Sequence, residues 1–194
     1  MRFERALPAL MAVLCIVASC DLLKPRDPQP PGNENNANPP ATSPDILVQN
    51  LQSAFAKKNV NEYQKIFSDT SSNGRQFVFV PTQKAAGNYA AFFLHWTAES
   101  ELSYFSKAMA SISNSSVPVV LFTNTVQTAI VPDSVLYSAD YSVFLSPTTY
   151  SGRARFFFYL LKNRGEWAMY RWEDLPSAKD TTLTWSDLKG QFSQ

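Results

Sequence analysis

A single histidine, a few charged pairs and no cluster of metal ligands bound the chemistry open to this chain. His95 stands between Leu94 and Trp96. Imidazole titrates near neutrality, so His95 is either a general base or a structural side chain in an aromatic segment. Asp140, between Ala139 and Tyr141, is the best placed aspartate base, with Tyr141 beside it as an acid. Strand alternation nevertheless puts Asp140 with Ser134, Ser138 and Ser142, on the face expected to be exposed. Arg153 and Arg155 are two apart and share a strand face. They either grip a carboxylate or phosphate or mark a solvated strand end. Glu173 and Asp174 follow Trp172; their alternative is a solvated turn or an ion pair with Arg171. No carboxylate pair has a spacing that separates an acid from a base.

Other chemistries find no residues. The glycines are scattered and form no phosphate loop, and no G-x-S-x-G elbow occurs. One histidine and two early cysteines, Cys15 and Cys20, do not make a metal site. No catalytic residue, metal or cofactor is therefore expected. Lys and Arg number 17 against 16 Asp and Glu, with no basic run, which argues against nucleic acid as a partner.

The N-terminus supplies an address. Arg2 and Arg5 precede the apolar run 6–19, "ALPALMAVLCIVAS". As a helix that run spans roughly 21 Å, short of the ~30 Å hydrocarbon core, so it reads as a signal peptide. Val17-Ala18-Ser19-Cys20 resembles the lipobox of bacterial lipoproteins. The alternative is an ordinary secretory signal cut near Ala18 or Ser19. The resemblance implies that residues 1–19 are removed and that Cys20 is acylated, becoming the first mature residue. Two or more acyl chains hold a membrane stably where one does not. Cys15 then leaves with the signal, so neither a disulfide nor a catalytic thiol remains.

Residues 20–44 are the lipidated cysteine and a tether. Seven prolines lie between Lys24 and Pro44, with no aliphatic side chain larger than alanine, so the segment is expected to be disordered with polyproline character. At ~3.1 Å per residue it holds a domain up to roughly 60 Å from a membrane. The partner implied at this end is the membrane itself, on the periplasmic or surface side of a cell envelope.

The elements that must position the side chains named above begin at residue 45. Ser43 caps a helix with Pro44 first and Asp45 in its first turn, and Ile46, Leu47, Leu51, Ala54 and Phe55 form its apolar stripe. Asn59 is suited to the helix end and Asn61 to capping a second short helix with Tyr63, Ile66 and Phe67. "QFVFVP" (76–81) is a first strand; 82–97 is a loop with at most a helical turn. Thr97 caps a third helix in which Leu102, Phe105 and Met109 face inward. From Ser116 the pattern is β to the end, with "VPDS" and "NRG" as turns. Val135, Tyr137, Ala139, Tyr141, Val143 and Leu145 share one strand face. Helices segregated from an antiparallel sheet make an α+β class.

The stretches "ILVQNLQSAFAKKNVNEYQKIFSD", "EWAMYRWEDL" and "TWSDLKGQF", in that order, resemble the NTF2-like superfamily, and within it uncharacterised bacterial lipoproteins. The likeness covers 45–194 and implies a strongly curved antiparallel sheet wrapped around N-terminal helices into a cone. Members of that superfamily include enzymes of the ketosteroid isomerase and dehydratase types, ligand binders and assembly modules. In such a cone Tyr137, Tyr141, Phe157, Tyr159, Trp167 and Met169 either pack the core or line a pocket for a flat apolar small molecule. His95, Arg153 and Arg155 would supply polar groups to that pocket. The expected role is binding of a ligand or an envelope protein without catalysis; the alternatives are a small isomerase or hydrolase, or a structural subunit forming a homodimer through the sheet.

Overall fold

The structure, a computed structural model, describes residues 37–68, 75–177 and 182–194. The expected signal peptide, Cys20 and most of the expected tether lie outside the described residues.

Helix α1 (Pro44–Ala56) starts as its sequence requires: the Ser43 hydroxyl accepts from Ile46 N at 3.3 Å, Pro44 is first and Asp45 sits in the first turn. Leu47, Val48, Leu51, Ala54 and Phe55 are its buried side. The left-handed residue beyond it is Lys58 (φ 52°), not Asn59. Asn59 instead caps α2 (Val60–Gln64) by accepting from Glu62 N at 3.1 Å, the role that the sequence suggested for Asn61.

Strand β1 is short (Val78–Val80), and 82–97 folds as two small helices, α3 (Gln83–Asn88) and α4 (Ala90–Phe93). Thr97 begins α5 (Ala98–Ser111) with a reciprocal capping box to Ser100, worth about 1 kcal/mol by analogy with other caps. The strands β2 (Val119–Val131), β3 (Ser134–Leu145), β4 (Thr148–Leu161) and β5 (Glu166–Leu175) follow. The chain is not β to its end. Residues Trp185–Gln191 form a final helix, α6, opened by a second capping box between Thr184 and Asp187.

The sheet runs β1-β5-β4-β3-β2, with β1 parallel to β5 and every other pairing antiparallel. It is curved and unclosed, with register shifts at Thr123/Val126 and Phe157/Phe158 that bend it. The fold is therefore α+β, as the order of elements implied.

Aromatic rings fill the space between sheet and helices. Tyr63 stacks on Phe105 at 3.9 Å between centroids, Phe55 meets Phe105 edge-on at 4.9 Å, and Trp172 meets Trp185 at 4.5 Å and 85°. Such contacts add about 0.5–1.5 kcal/mol each beyond the burial of the rings.

The compact unit begins at Ala37, upstream of residue 45. Asn38 to Ala41, expected to belong to the tether, form a strap on the domain. Asn38 N donates to Glu62 at 3.0 Å, Ser53 Oγ donates to the Asn38 side chain at 2.7 Å, and Asn50 Nδ2 donates to Pro39 O at 2.8 Å. Trp167 N donates to Ala41 O at 2.7 Å. Prolines cannot donate to a ladder, but their carbonyls accept, and α1 and β5 supply the donors.

Candidate functional site

The concave side of the sheet is occupied by α6. Every residue from Trp185 to Gly190 is buried, and Gly190 is where the Tyr89 ring lies so close that a Cβ would clash with it. Lys189 of α6 and Glu101 of α5 are both fully buried and form an ion pair. Glu101 also accepts from Tyr63 Oη at 2.9 Å and Trp96 Nε1 at 2.8 Å. The hydroxyls of Tyr63 and Tyr104 are 2.9 Å apart, and Trp185 Nε1 donates to Tyr104 Oη at 3.2 Å.

Desolvating an ammonium costs several kcal/mol unless it is paired and surrounded by compensating dipoles. Lys189 Nζ finds these in Glu101 and in two ring faces, Phe79 at 3.5 Å and Trp172 at 3.6 Å from the centroids. Burial still depresses its pKa to about 8, against the opposing pull of Glu101 and Asp174. Burial, with Glu101 nearby, holds the Tyr63 and Tyr104 hydroxyls well above the usual phenol range.

A second buried cluster ties α6 to the sheet. Asp174 of β5 accepts from Tyr141 Oη at 2.7 Å, from Ser186 N at 2.6 Å and from Ser186 Oγ at 2.5 Å. Trp185 N donates back to Tyr141 Oη at 2.7 Å, and Thr82 N to Ser186 Oγ at 3.0 Å. Burial raises the Asp174 carboxyl above its ordinary pKa, while its hydrogen bonds to Ser186 and Tyr141 pull the other way. Both carboxylate oxygens are engaged by the protein itself, which suits a structural pin. Among the described residues the one buried side-chain polar atom without a partner is Trp172 Nε1.

Two sizeable cavities lie outside this filled interior. One, about 650 Å³, runs between the ends of β1 and β5, with Thr82, Lys84, Glu173, Asp174 and Thr184 among its walls. The other, about 550 Å³, is bounded by the strap, by α2 with the residues after it, and by the β4–β5 hairpin.

The side chains singled out from sequence are dispersed. Tyr137, Tyr141 and Met169 are buried on the inner face as core. Phe157 and Tyr159 lie on the outer face, because the register pairs Tyr137 with Phe156. The inner positions are thus odd-numbered on β3 and even-numbered on β4, so Phe156 and Phe158 point inward. Phe157 is flanked by Arg155 and Arg171 at 5.5 and 5.6 Å, and Arg75 lies 3.9 Å over the Tyr159 ring. Arg153 and Arg155 share this outer face but enter neither cavity. Arg153 pairs with Asp140 at 3.0 Å and Arg155 with Glu173 at 2.8 Å. His95 is exposed in the turn after α4. Of the expected pocket aromatics, Trp167 alone is half-buried at the wall of a described cavity.

Glu101 and Lys189 have no site role in the sequence reading, whereas Asp174, read with Glu173 as a solvated turn or an ion pair with Arg171, is buried; it is Glu173 that pairs with Arg171, at 2.6 Å. A signal existed for the first two: Glu101 lies on the same helical stripe as Phe105 and Ala108, and Lys189 is one turn from Trp185. A charge on an apolar stripe implies a buried partner. Among the described residues no group of three or more His, Cys, Asp or Glu could hold a metal, and no helix is long and apolar enough to cross a membrane.

No family model matches the sequence, and no curated protein matches it. Solved structures do. An NTF2-like family protein from Streptomyces avermitilis, provisionally described as a dehydratase, is 10% identical over 68% of this chain and 91% of its own, with a TM-score of 0.52. An NTF2-like protein of unknown function from Pseudomonas putida is 10% identical over 72% of this chain and 89% of its own, at 0.51. A third, from Shewanella oneidensis and also of unknown function, is 12% identical over 66% and 92%, at 0.50. At these identities the likeness speaks to fold alone, and the fold of this chain is NTF2-like.

Proposed function

We propose that this chain is an exported lipoprotein, held to the bacterial cell envelope through acylated Cys20, whose NTF2-like domain binds a ligand or protein partner without catalysis. The carrying observation is the filled cone: α6 places Trp185 and Lys189 in the interior, and the surrounding polar groups are engaged with one another. A binding function is then expected at the outer grooves. The lipobox and the proline-rich segment behind it support the anchor. The test is fractionation with fatty-acid labelling of the full chain. Wild type should label and pellet with membranes, and Cys20→Ala should do neither; a labelled or membrane-bound Cys20→Ala protein rejects the anchor. A turnover that His95→Gln or Asp140→Asn abolishes would reject the non-catalytic domain.

A further inference from the structure

The 550 Å³ groove beside the strap has walls of a particular chemistry. Its charged residues cancel, Glu62 and Glu166 against Lys65 and Arg164. Glu62 is already paired with Lys65 at 2.7 Å and with Asn38 N. The remaining polar wall is amide, Asn38, Asn50, Asn61 and Gln64, apart from the buried Ser68 hydroxyl, which donates to Arg75 O at 3.4 Å. Asn61 and Gln64 are exposed and form no side-chain hydrogen bond among the described residues, so both ends of each amide stay available to a guest. Its aromatic walls are Phe67, which is buried, and the half-buried Trp167, whose position is set from two sides, by packing against the core and by its backbone bond to Ala41.

We propose that this groove binds a neutral glycan carrying hydroxyl and N-acetyl groups. A cancelled charge gives no reward for an ionic guest that must shed its hydration. Amides that both donate and accept match hydroxyls and acetamido groups, which do the same. An indole face offers flat apolar area to the C–H face of a sugar ring, the usual composition of a site with few polar anchors. The strap forms one wall, so the groove is built at the point where the compact unit begins, at Ala37. The choice of an envelope polymer over another neutral ligand rests on the anchoring proposed above; the site itself does not.

The test is calorimetric titration of the full chain, in a detergent without sugar head groups, with the tetramer of N-acetylglucosamine. Saturable binding is expected, weakened ~10-fold in Asn61→Ala and in Gln64→Ala, as for one lost hydrogen-bonded contact each, and lost in Trp167→Ala. The two amide substitutions are on exposed side chains and leave the fold intact, so they decide the matter if Trp167→Ala unfolds. Absence of binding up to about 10 mM, where any specific contact would register, overturns the proposal. So does binding that the amide substitutions leave unchanged, or saturable binding of a neutral alanine tripeptide in place of the glycan. Fractionation of Cys20→Ala is an independent readout, so a failed anchor and a failed glycan site are told apart.

Discussion

At the residue scale the ion pair between Glu101 and Lys189 dominates, because neither side chain meets water. Removing one member of a buried pair leaves the other uncompensated, at about 3–5 kcal/mol, whereas replacing both can be neutral or stabilising. Glu101→Gln and Lys189→Met should each destabilise the domain by that amount in urea unfolding. The double variant should cost clearly less than the sum. Additive costs would mean that the two side chains act separately and that the cation–π contacts with Phe79 and Trp172 carry Lys189 alone.

At the scale of elements, three strands and a helix meet at Gly152. A Cβ there would stand 2.6 Å from Leu175 O and 2.6 Å from Tyr141 Oη, and neither can yield: one is backbone and the other is held by Asp174 and Trp185 N. Gly152→Ala should lower stability by about 1–3 kcal/mol as an overpacked site, and a melting temperature within a degree of wild type would refute the crossing described here. Helix ends were legible in the sequence for the same local reason that they form: Ser43 and Thr97 are oxygen-bearing side chains ahead of apolar stripes. Helix α6 lies outside the all-β reading because it is only seven residues long and carries Gly190, although Thr184 and Asp187 hold a local start signal of the same kind. Its stability comes from being buried on all sides.

At the scale of the whole molecule, the buried groups give folding a dependence on pH. Lys189 has a folded pKa of about 8 against an unfolded value near 10.5, so between these values the unfolded chain binds the extra proton. The contribution is absent below pH 8 and accrues as the pH rises toward 10.5. Tyr63, Tyr104 and Tyr141 act oppositely: raised in the folded state, they cost stability once unfolded phenols ionise near pH 10. Wild type should therefore gain stability from pH 7 to 9.5 and lose it above 10, while Lys189→Met should lack the gain. Urea unfolding at pH 7, 9.5 and 10.5 checks both signs; a wild-type stability that falls monotonically would overturn the assignment to Lys189.

Composition, caps and periodicity determined by themselves that this is an α+β domain behind a proline-rich segment, because they are local and each is read within a few residues. The inward alternation of Tyr137, Ala139, Tyr141 and Val143 was equally plain. Tertiary structure alone decided which parity of β4 faces inward, since a one-residue change of register exchanges Phe157 for Phe156 and no local pattern in an all-apolar run distinguishes them. It also decided that the cone is filled, because Glu101 and Lys189 are 88 positions apart and each makes sense inside only when the other is there.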